Sequence, residues 1–217
     1  MSLAIFDLDN TLIAGDSDHL WGEFLIEQGR VDAGHYRERN DFFYRAYQQG
    51  TLDIHAYLEF ALAPLRGFSP EELAALHLAF MQHKIHPIVL PKAKALIEDH
   101  RTKGDTLLII TATNRFITEP IARLLEIPHL LASEPEMLDG CYTGRATGIP
   151  CFQDGKVKRL QEWLAATGQS LSTSYFYSDS ANDIPLLQAV SHPVAVDPDA
   201  RLRDFALANS IPIISLR

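Results

Sequence analysis

The chain has 217 residues, of which 47% are hydrophobic and 22% are charged, as expected for a globular protein with a sizeable core. Its 19 Lys and Arg against 28 Asp and Glu give a net charge of −9, which argues against nucleic acid or an anionic membrane as a partner. With no secretory leader, no apolar run long enough to span a bilayer and two cysteines that we expect to be reduced, the sequence predicts a cytoplasmic protein.

The N-terminal apolar stretch predicts a β-strand over residues 3–6, followed at once by Asp7 and Asp9. In extended backbone these two side chains point to the same side, at the strand end where open α/β sheets bind ligands. Carboxylates this close repel each other unless a cation lies between them, so Mg²⁺ is the natural companion. A solvated turn is the alternative interpretation of so short a motif.

Residues 16–85 contain only helical patterns. The first predicted helix starts at Asp16 or Ser17 and ends at Gly29, and three more follow over residues 33–49, 54–65 and 70–83. A single crossover seldom needs so many residues. We therefore predict a helical cap domain over 16–85, inserted into a core domain of residues 1–15 and 86–217. The alternative is that these helices simply cover one face of the sheet.

Beyond residue 86 the patterns alternate between helix and strand. We predict helices over 91–102, 117–126, 155–167, around 183–187 and over 202–207. The predicted strands cover 106–110, 129–132, 174–177, 193–196 and 211–214, and Asp139-Gly140 predicts a small β-hairpin. This alternation indicates an α/β fold with a doubly wound, Rossmann-like parallel sheet.

Polar residues follow three of the predicted strands. Asp7 and Asp9 follow the first, Thr111 follows the second, and Asp179 and Asp183 follow a later one. Because the carboxyl ends of parallel strands share one edge of the sheet, these side chains should converge on one crevice. The cation available to offset a substrate's remaining charge is Lys156 or Lys158.

These motifs resemble the haloacid dehalogenase superfamily of phosphotransferases. The resemblance rests on Asp-x-Asp-x-Thr after a strand, Thr after the second strand, a Lys opening a helix, and Ser-Asp-x-x-Asn-Asp after a later strand. The early helical cap and the Asp-Gly-x-x-Thr-Gly hairpin are similar to its phosphoserine-phosphatase-like subgroup. The resemblance covers essentially the whole chain and implies a Mg²⁺-dependent phosphomonoesterase that acts on a small-molecule phosphate ester through an aspartyl-phosphate intermediate.

The resemblance also implies a role for each motif residue. Asp7 is the expected nucleophile, Asp9 the expected general acid and base, and Lys156, preferred to Lys158 on spacing, the expected charge-balancing cation. Phosphate contacts are expected from Thr111, the backbone of Ala112, and their neighbours Thr113 and Asn114. The expected Mg²⁺ ligands are Asp7, the backbone carbonyl of Asp9, Asp179, and Asp183 directly or through water, with Asn182 supporting the loop.

The cap sequence bears on the substrate. Asp16 lies nine positions after Asp7, where the phosphoserine phosphatases that this chain resembles place a Glu facing the substrate ammonium. Those enzymes also use a cap Arg for the serine carboxylate, but the matching segment here, residues 53–62, has none. Burying a carboxylate without a cation is unfavourable, so we expect a different substrate, although Arg45 or Arg66 could substitute.

A cationic phosphate ester without a carboxylate fits the cap acids better. If Asp16, Asp18 and Glu59 line the pocket, histidinol phosphate is the expected substrate, with Trp21, Phe43 or Tyr57 available to stack on its ring. Phosphoserine hydrolysis and phosphoryl transfer to an acceptor other than water are the alternatives. The presence of Asp9 argues against a dehalogenase, and the intact motif residues argue against a non-catalytic binding protein. The sequence does not determine the oligomeric state.

Overall fold

A seven-stranded sheet runs through the computed structural model, which describes residues 2–217. The spatial order of its strands, numbered along the chain, is β4-β3-β2-β1-β5-β6-β7, and every neighbouring pair is parallel except β3 and β4. The predicted α/β fold with a doubly wound parallel sheet is confirmed. The strands are β1 (Leu3–Phe6), β2 (Thr106–Asn114), β3 (His129–Leu138), β4 (Cys141–Thr147), β5 (Ser174–Ser178), β6 (His192–Val196) and β7 (Ile213–Ile214).

Helices connect the strands and cover both faces of the sheet. Five of them lie between β1 and β2, namely α1 (Ser17–Glu27), α2 (Ala33–Gln49), α3 (Ile54–Leu62), α4 (Pro70–Phe80) and α5 (Pro91–Thr102). The others are α6 (Arg115–Leu124), α7 (Asp154–Thr167), α8 (Ile184–Leu187) and α9 (Ala200–Ala208). None of the helices within residues 2–217 combines the length and hydrophobicity that crossing a membrane requires.

The helix starts between β1 and β2 follow from their capping residues. Asp16, Asp32 and Asp53 each accept a hydrogen bond from a backbone N–H of the first turn, and Ser69 forms a capping box with Glu72. Two helices end earlier than predicted. After Leu62 the chain tightens into a 3₁₀ turn over Ala63–Gly67, and after Phe80 it widens into a π-helical turn over Met81–Ile85.

Alternate residues of β1 face two separate hydrophobic clusters. Ala4 and Phe6 belong to a cluster that includes side chains from α1 and α3–α6, whereas Leu3 and Ile5 belong to one built with α7–α9. Burial on both faces explains why this strand is apolar throughout. Because the first cluster is shared by the sheet and the helices of residues 16–85, the division into core and cap domains stays a prediction.

The strand order reverses at β1. From β1 the chain adds β2 and β3 on one side, and it later adds β5, β6 and β7 on the other. The helices after β1 and β2 pack on one face and those after β5 and β6 on the opposite face, which opens a crevice at the carboxyl ends of β1 and β5. At this crevice the backbone N–H of Asp7 donates to the carbonyl of Tyr177 at 2.9 Å.

Candidate active site

Asp7 lies at the carboxyl end of the central strand with its carboxylate buried. The Lys156 Nζ donates to its Oδ1 at 2.8 Å, and the Thr11 hydroxyl lies 3.4 Å from its Oδ2. In the chain between Asp7 and Thr11, Asn10 adopts a left-handed conformation with φ of 57°, which Asn tolerates better than most residues. Burial raises the pKa of Asp7 to about 7, although Lys156 acts in the opposite direction. Further positive charge is therefore needed to keep Asp7 fully ionised at neutral pH.

Lys156 is 1% exposed and contacts two carboxylates at once. Its Nζ lies 2.8 Å from oxygens of both Asp7 and Asp183, whereas Lys158 is exposed. Burial alone would lower the pKa of Lys156, but Asp183 and Asp7 raise it above its usual range, so the side chain is charged. A close approach fixes this position, because a Cβ on the preceding Gly155 would lie 2.0 Å from the carbonyl oxygen of Pro150.

Asp9 is held by donors from two elements. Its Oδ1 accepts the backbone N–H of Ser17 at 2.6 Å, and its Oδ2 accepts the hydroxyl of Thr113 at 2.9 Å. Burial and the nearby Asp16 raise the pKa of Asp9 to about 6, although the bonds from Ser17 and Thr113 lower it. A carboxyl group with a pKa near neutrality can both give and accept a proton.

The expected phosphate-binding residues separate into two groups. Thr111, Ala112 and Thr113 line the cavity above Asp9. Asn114 and Asn182 lie outside this lining, because their side chains are bound elsewhere. The Asn114 Oδ1 caps α6 by accepting from Ile117, and the Asn182 Nδ2 donates to the carbonyl of Tyr47 at 3.0 Å. These two amides thus contact other protein groups in the structure, and the phosphate contact of Asn114 and the loop-supporting role of Asn182 stay predictions.

The acidic residues expected to hold Mg²⁺ occupy different environments. Asp183 accepts from Lys156 and from the Ser178 hydroxyl, so two donors already contact its carboxylate. Burial and the nearby Asp7 and Asp183 raise the pKa of Asp179 well above its usual value. The Thr11 hydroxyl donates to Asp179 at 3.1 Å and also lies near Asp7, which joins these two carboxylates.

Within residues 2–217, no three His, Cys, Asp or Glu side chains form a ready metal site. Asp7 and Asp179, which the Thr11 hydroxyl joins, supply two carboxylates. Mg²⁺ commonly uses one or two protein carboxylates and keeps several waters. The carboxylates at the site carry more negative charge than the buried Lys156 offsets, and this surplus charge fits Mg²⁺. The backbone carbonyl of Asp9 offers a further oxygen ligand.

A cavity extends from Asp7 toward the helices of residues 16–85. Four carboxylates face it, and no Lys or Arg is found among the described residues that line it. Its aromatic walls come from α2 and α3. The lining consists of Asp7, Asp9, Asp16, Asp18, His19, Asn40, Phe43, Tyr44, Tyr47, Leu52, Ile54, Tyr57, Thr111, Ala112 and Thr113.

Several cap residues expected near the substrate lie elsewhere. Glu59, Arg45 and Arg66 are exposed and absent from the cavity lining, and Trp21 is buried in the hydrophobic cluster beneath it. Glu59 lies on the solvent-exposed face of α3, whereas Tyr57 lies on the face that lines the cavity. The cap thus contributes acids and aromatic rings to the cavity.

Some site contacts were not apparent from the sequence. The bonds from the Thr11 hydroxyl and from the Ser17 backbone N–H had no separate signal, although Thr11 belongs to the first motif. Tyr44 and His19 line the cavity with their ring centroids 4.8 Å apart. The sequence does not predict this contact, because the two residues are far apart in the chain. Both cysteines are free thiols, as expected.

Known proteins resemble this chain in sequence. A histidinol-phosphatase of Neisseria meningitidis serogroup C is 47% identical over 220 residues, covering 100% of this chain and 99% of that protein. A phosphoserine phosphatase of Mycobacterium tuberculosis is 33% identical over 212 residues, covering 94% of this chain and 67% of that protein. The relationship to phosphatases therefore spans the chain.

Solved structures share the fold. A protein of unknown function from Bordetella pertussis Tohama I superposes with a TM-score of 0.94 at 45% identity, covering 100% of this chain and 99% of the other. A substrate-bound phosphoserine phosphatase has a TM-score of 0.73 at 17% identity, with 98% and 92% covered, which shows a common fold. The haloacid dehalogenase-like hydrolase family matches residues 4–188. The chain therefore belongs to the haloacid dehalogenase-like hydrolase family, and its activity class is that of a phosphoric monoester hydrolase.

Proposed function

We propose that this protein is a Mg²⁺-dependent phosphatase that hydrolyses histidinol phosphate to histidinol and inorganic phosphate through an aspartyl phosphate on Asp7. The observation that carries the proposal is the cavity beside Asp7, which has four carboxylates and no Lys or Arg in its described lining. The 47% identity to a histidinol-phosphatase over the whole chain supports the same substrate.

The first chemical step is attack by a carboxylate oxygen of Asp7 on phosphorus. A bond forms between that oxygen and phosphorus, and the bond between phosphorus and the ester oxygen breaks. Lys156, 2.8 Å from Asp7, favours the ionised form of the nucleophile and offsets the charge of the phosphoryl group. The hydroxyl of Thr111 and the backbone of Ala112 supply hydrogen bonds to the phosphoryl oxygens.

Asp9 moves the proton in both halves of the reaction. It donates a proton to the departing alcohol oxygen, and in the second half it accepts a proton from the water that attacks the aspartyl phosphate. That attack releases phosphate and regenerates the Asp7 carboxylate. The bonds from Ser17 and Thr113 hold the Asp9 carboxylate in place, and its raised pKa of about 6 suits both proton transfers.

Asp7, Asp179 and the backbone carbonyl of Asp9 would hold Mg²⁺, with Asp183 acting through water. When bound, the ion neutralises charge on the phosphoryl oxygens. The assignment is supported by the raised pKa values of Asp7 and Asp179, which reflect burial and mutual repulsion between carboxylates. Without a divalent cation these two groups would share protons rather than ionise together.

The cavity supports histidinol phosphate over phosphoserine. Both esters carry an ammonium group, but phosphoserine also carries a carboxylate, which would meet the acidic lining without a cation. Arg45 and Arg66, the cap arginines considered for that role, are exposed outside the cavity. Burying an unpaired carboxylate costs on the order of several kcal/mol. An imidazole ring, in contrast, can stack on the aromatic walls of the cavity.

The test is phosphate release from histidinol phosphate and phosphoserine side by side, with and without Mg²⁺. We expect a kcat/KM at least about 100-fold higher for histidinol phosphate, the ratio that about 2.7 kcal/mol supplies. A strong phosphoserine preference would reject the substrate assignment, and phosphate transfer to added alcohols in preference to water would identify a phosphotransferase. Asp7→Asn should abolish phosphate release, and persistent activity would reject Asp7 as nucleophile.

A further inference from the structure

Asp18 is a buried acid that the mechanism above does not use. It is the second residue of α1, its side chain lines the cavity, and the residue is 5% exposed. Within residues 2–217 its Oδ2 atom has no hydrogen-bond partner. A buried carboxylate oxygen without a donor destabilises a protein, so its presence in a cavity calls for an explanation such as a bound donor.

No Lys or Arg is among the described residues that line the cavity around Asp18. Tyr57 on α3 lines the same cavity, and the acids Asp16 and Asp9 add negative charge from the loop before α1 and the end of β1. Asn40 on α2 donates to the carbonyl of His19, so its amide is already bound. The Oδ2 atom of Asp18 is therefore open to a donor from outside the chain.

The other two cap acids do not have this property. Asp16 is the N-cap of α1, and its Oδ1 accepts the backbone N–H of His19 at 2.8 Å. Glu59 is exposed outside the cavity. Asp16 is therefore partly committed to holding the helix, whereas one oxygen of Asp18 remains free inside the cavity.

We propose that Asp18 accepts a hydrogen bond from the primary ammonium group of the substrate, which makes the enzyme selective for phosphate monoesters of amino alcohols that carry no carboxylate. The inference rests on the proposed phosphatase function and deepens it, because it assigns selectivity for the amine to one residue. Tyr57 lines the same cavity as Asp18. A charged hydrogen bond of this kind contributes about 1.5–3 kcal/mol, which corresponds to about 10- to 100-fold in affinity.

The experiment compares two pairs of esters, each pair differing only in the amino group. The first pair is histidinol phosphate and its des-amino analogue, and the second is 2-aminoethyl phosphate and ethyl phosphate. We expect the wild-type enzyme to prefer the aminated member. Asp18→Asn should raise KM for aminated esters by about 10- to 100-fold and leave kcat/KM for des-amino esters within about threefold. Glu59→Gln, a matched change in an exposed cap acid, should alter neither value.

Different outcomes separate this inference from the substrate assignment. If the aminoethyl pair follows the expected pattern but histidinol phosphate is a poor substrate, the assignment to histidinol phosphate fails and the role of Asp18 stands. A wild-type enzyme without preference for the amine, or an Asp18→Asn variant that loses activity equally on both members, overturns the role of Asp18. The melting temperature reports whether the variant is folded, and Asp18→Ser serves as a second neutral variant with the same expected selectivity.

Discussion

Replacing Asp18 by Asn should stabilise the protein, and the gain should depend on pH. Burial raises the pKa of Asp18 from its ordinary value of 3.8 to about 8, although a hydrogen bond from Tyr57 lowers it. Between these two values the folded state holds a proton that the unfolded state has released. The wild-type free energy of unfolding therefore falls by about 1.4 kcal/mol for each unit rise in pH, and Asn removes this contribution.

The magnitude follows from that slope. Between about pH 5 and about pH 7.5, the difference in unfolding free energy between Asp18→Asn and wild type should grow by about 3 kcal/mol in favour of the variant. Urea denaturation of both proteins at the two pH values measures this, and Glu59→Gln provides the matched exposed control. A difference that stays constant with pH, or that grows as the pH falls, would refute the assignment of Asp18 as a buried acid without a cation.

Three further outcomes test the site. Lys156→Met should lower the free energy of unfolding by about 3–5 kcal/mol and the activity by at least about 100-fold, because Asp7 and Asp183 lose their shared cation. Denaturation measures the change in stability, and phosphate release measures the change in activity. Gly155→Ala should displace the start of α7 and reduce both stability and activity. Gly34→Ala in α2, whose Cβ would have only a 3.8 Å contact, should leave activity unchanged and should not lower stability, because Ala favours the helix. Chelation should abolish activity, and added Mg²⁺ should raise the melting temperature of the wild type but not of Asp179→Asn. Wild-type activity and stability in Lys156→Met, equal effects of Gly155→Ala and Gly34→Ala, or equal Mg²⁺ responses of the wild type and Asp179→Asn would contradict these expectations.

Much of the fold could be predicted because local signals mark its elements. The predicted bounds of α2 and α5 match the structure, since Asp32 and the Gly50 cap delimit α2 and Pro91 starts α5. The Asp139-Gly140 turn produced the expected hairpin between β3 and β4, with both residues at positive φ. Signals contained in a few consecutive residues were therefore sufficient to place whole elements.

The sheet brings several predicted site residues together. Asp7 and Asp9 follow β1 and share one crevice with Thr111, which lies within β2 and not after the strand as predicted. Lys156 reaches Asp7 from the start of α7. The helical bounds were less accurate after Leu62, where the chain turns into a 3₁₀ segment that no apolar periodicity distinguishes. The ends of strands therefore predict which distant side chains lie together. The periodicity of apolar residues predicts less accurately where a helix ends.

The cap residues could not be sorted from the sequence. Asp18 and Glu59 are both acids on amphipathic helices, and only the packing of α1 and α3 decides that one faces the cavity and the other solvent. Asn114 was expected to contact phosphate and Asn182 to support its loop, but the sequence does not show that the Asn114 amide accepts from Ile117 or that the Asn182 amide donates to Tyr47. Such choices depend on the relative placement of elements that are distant in the chain.

The pairing of β1 has a consequence for how this protein folds. Leu3 pairs with Thr106 on one side and with Ser174 on the other, so the first strand of the chain completes its hydrogen bonds only after most of the polypeptide is available. Pairing over such separations closes long loops and is slow. During synthesis on the ribosome β1 emerges first, and it must wait, unpaired and apolar, for β2 and then for β5.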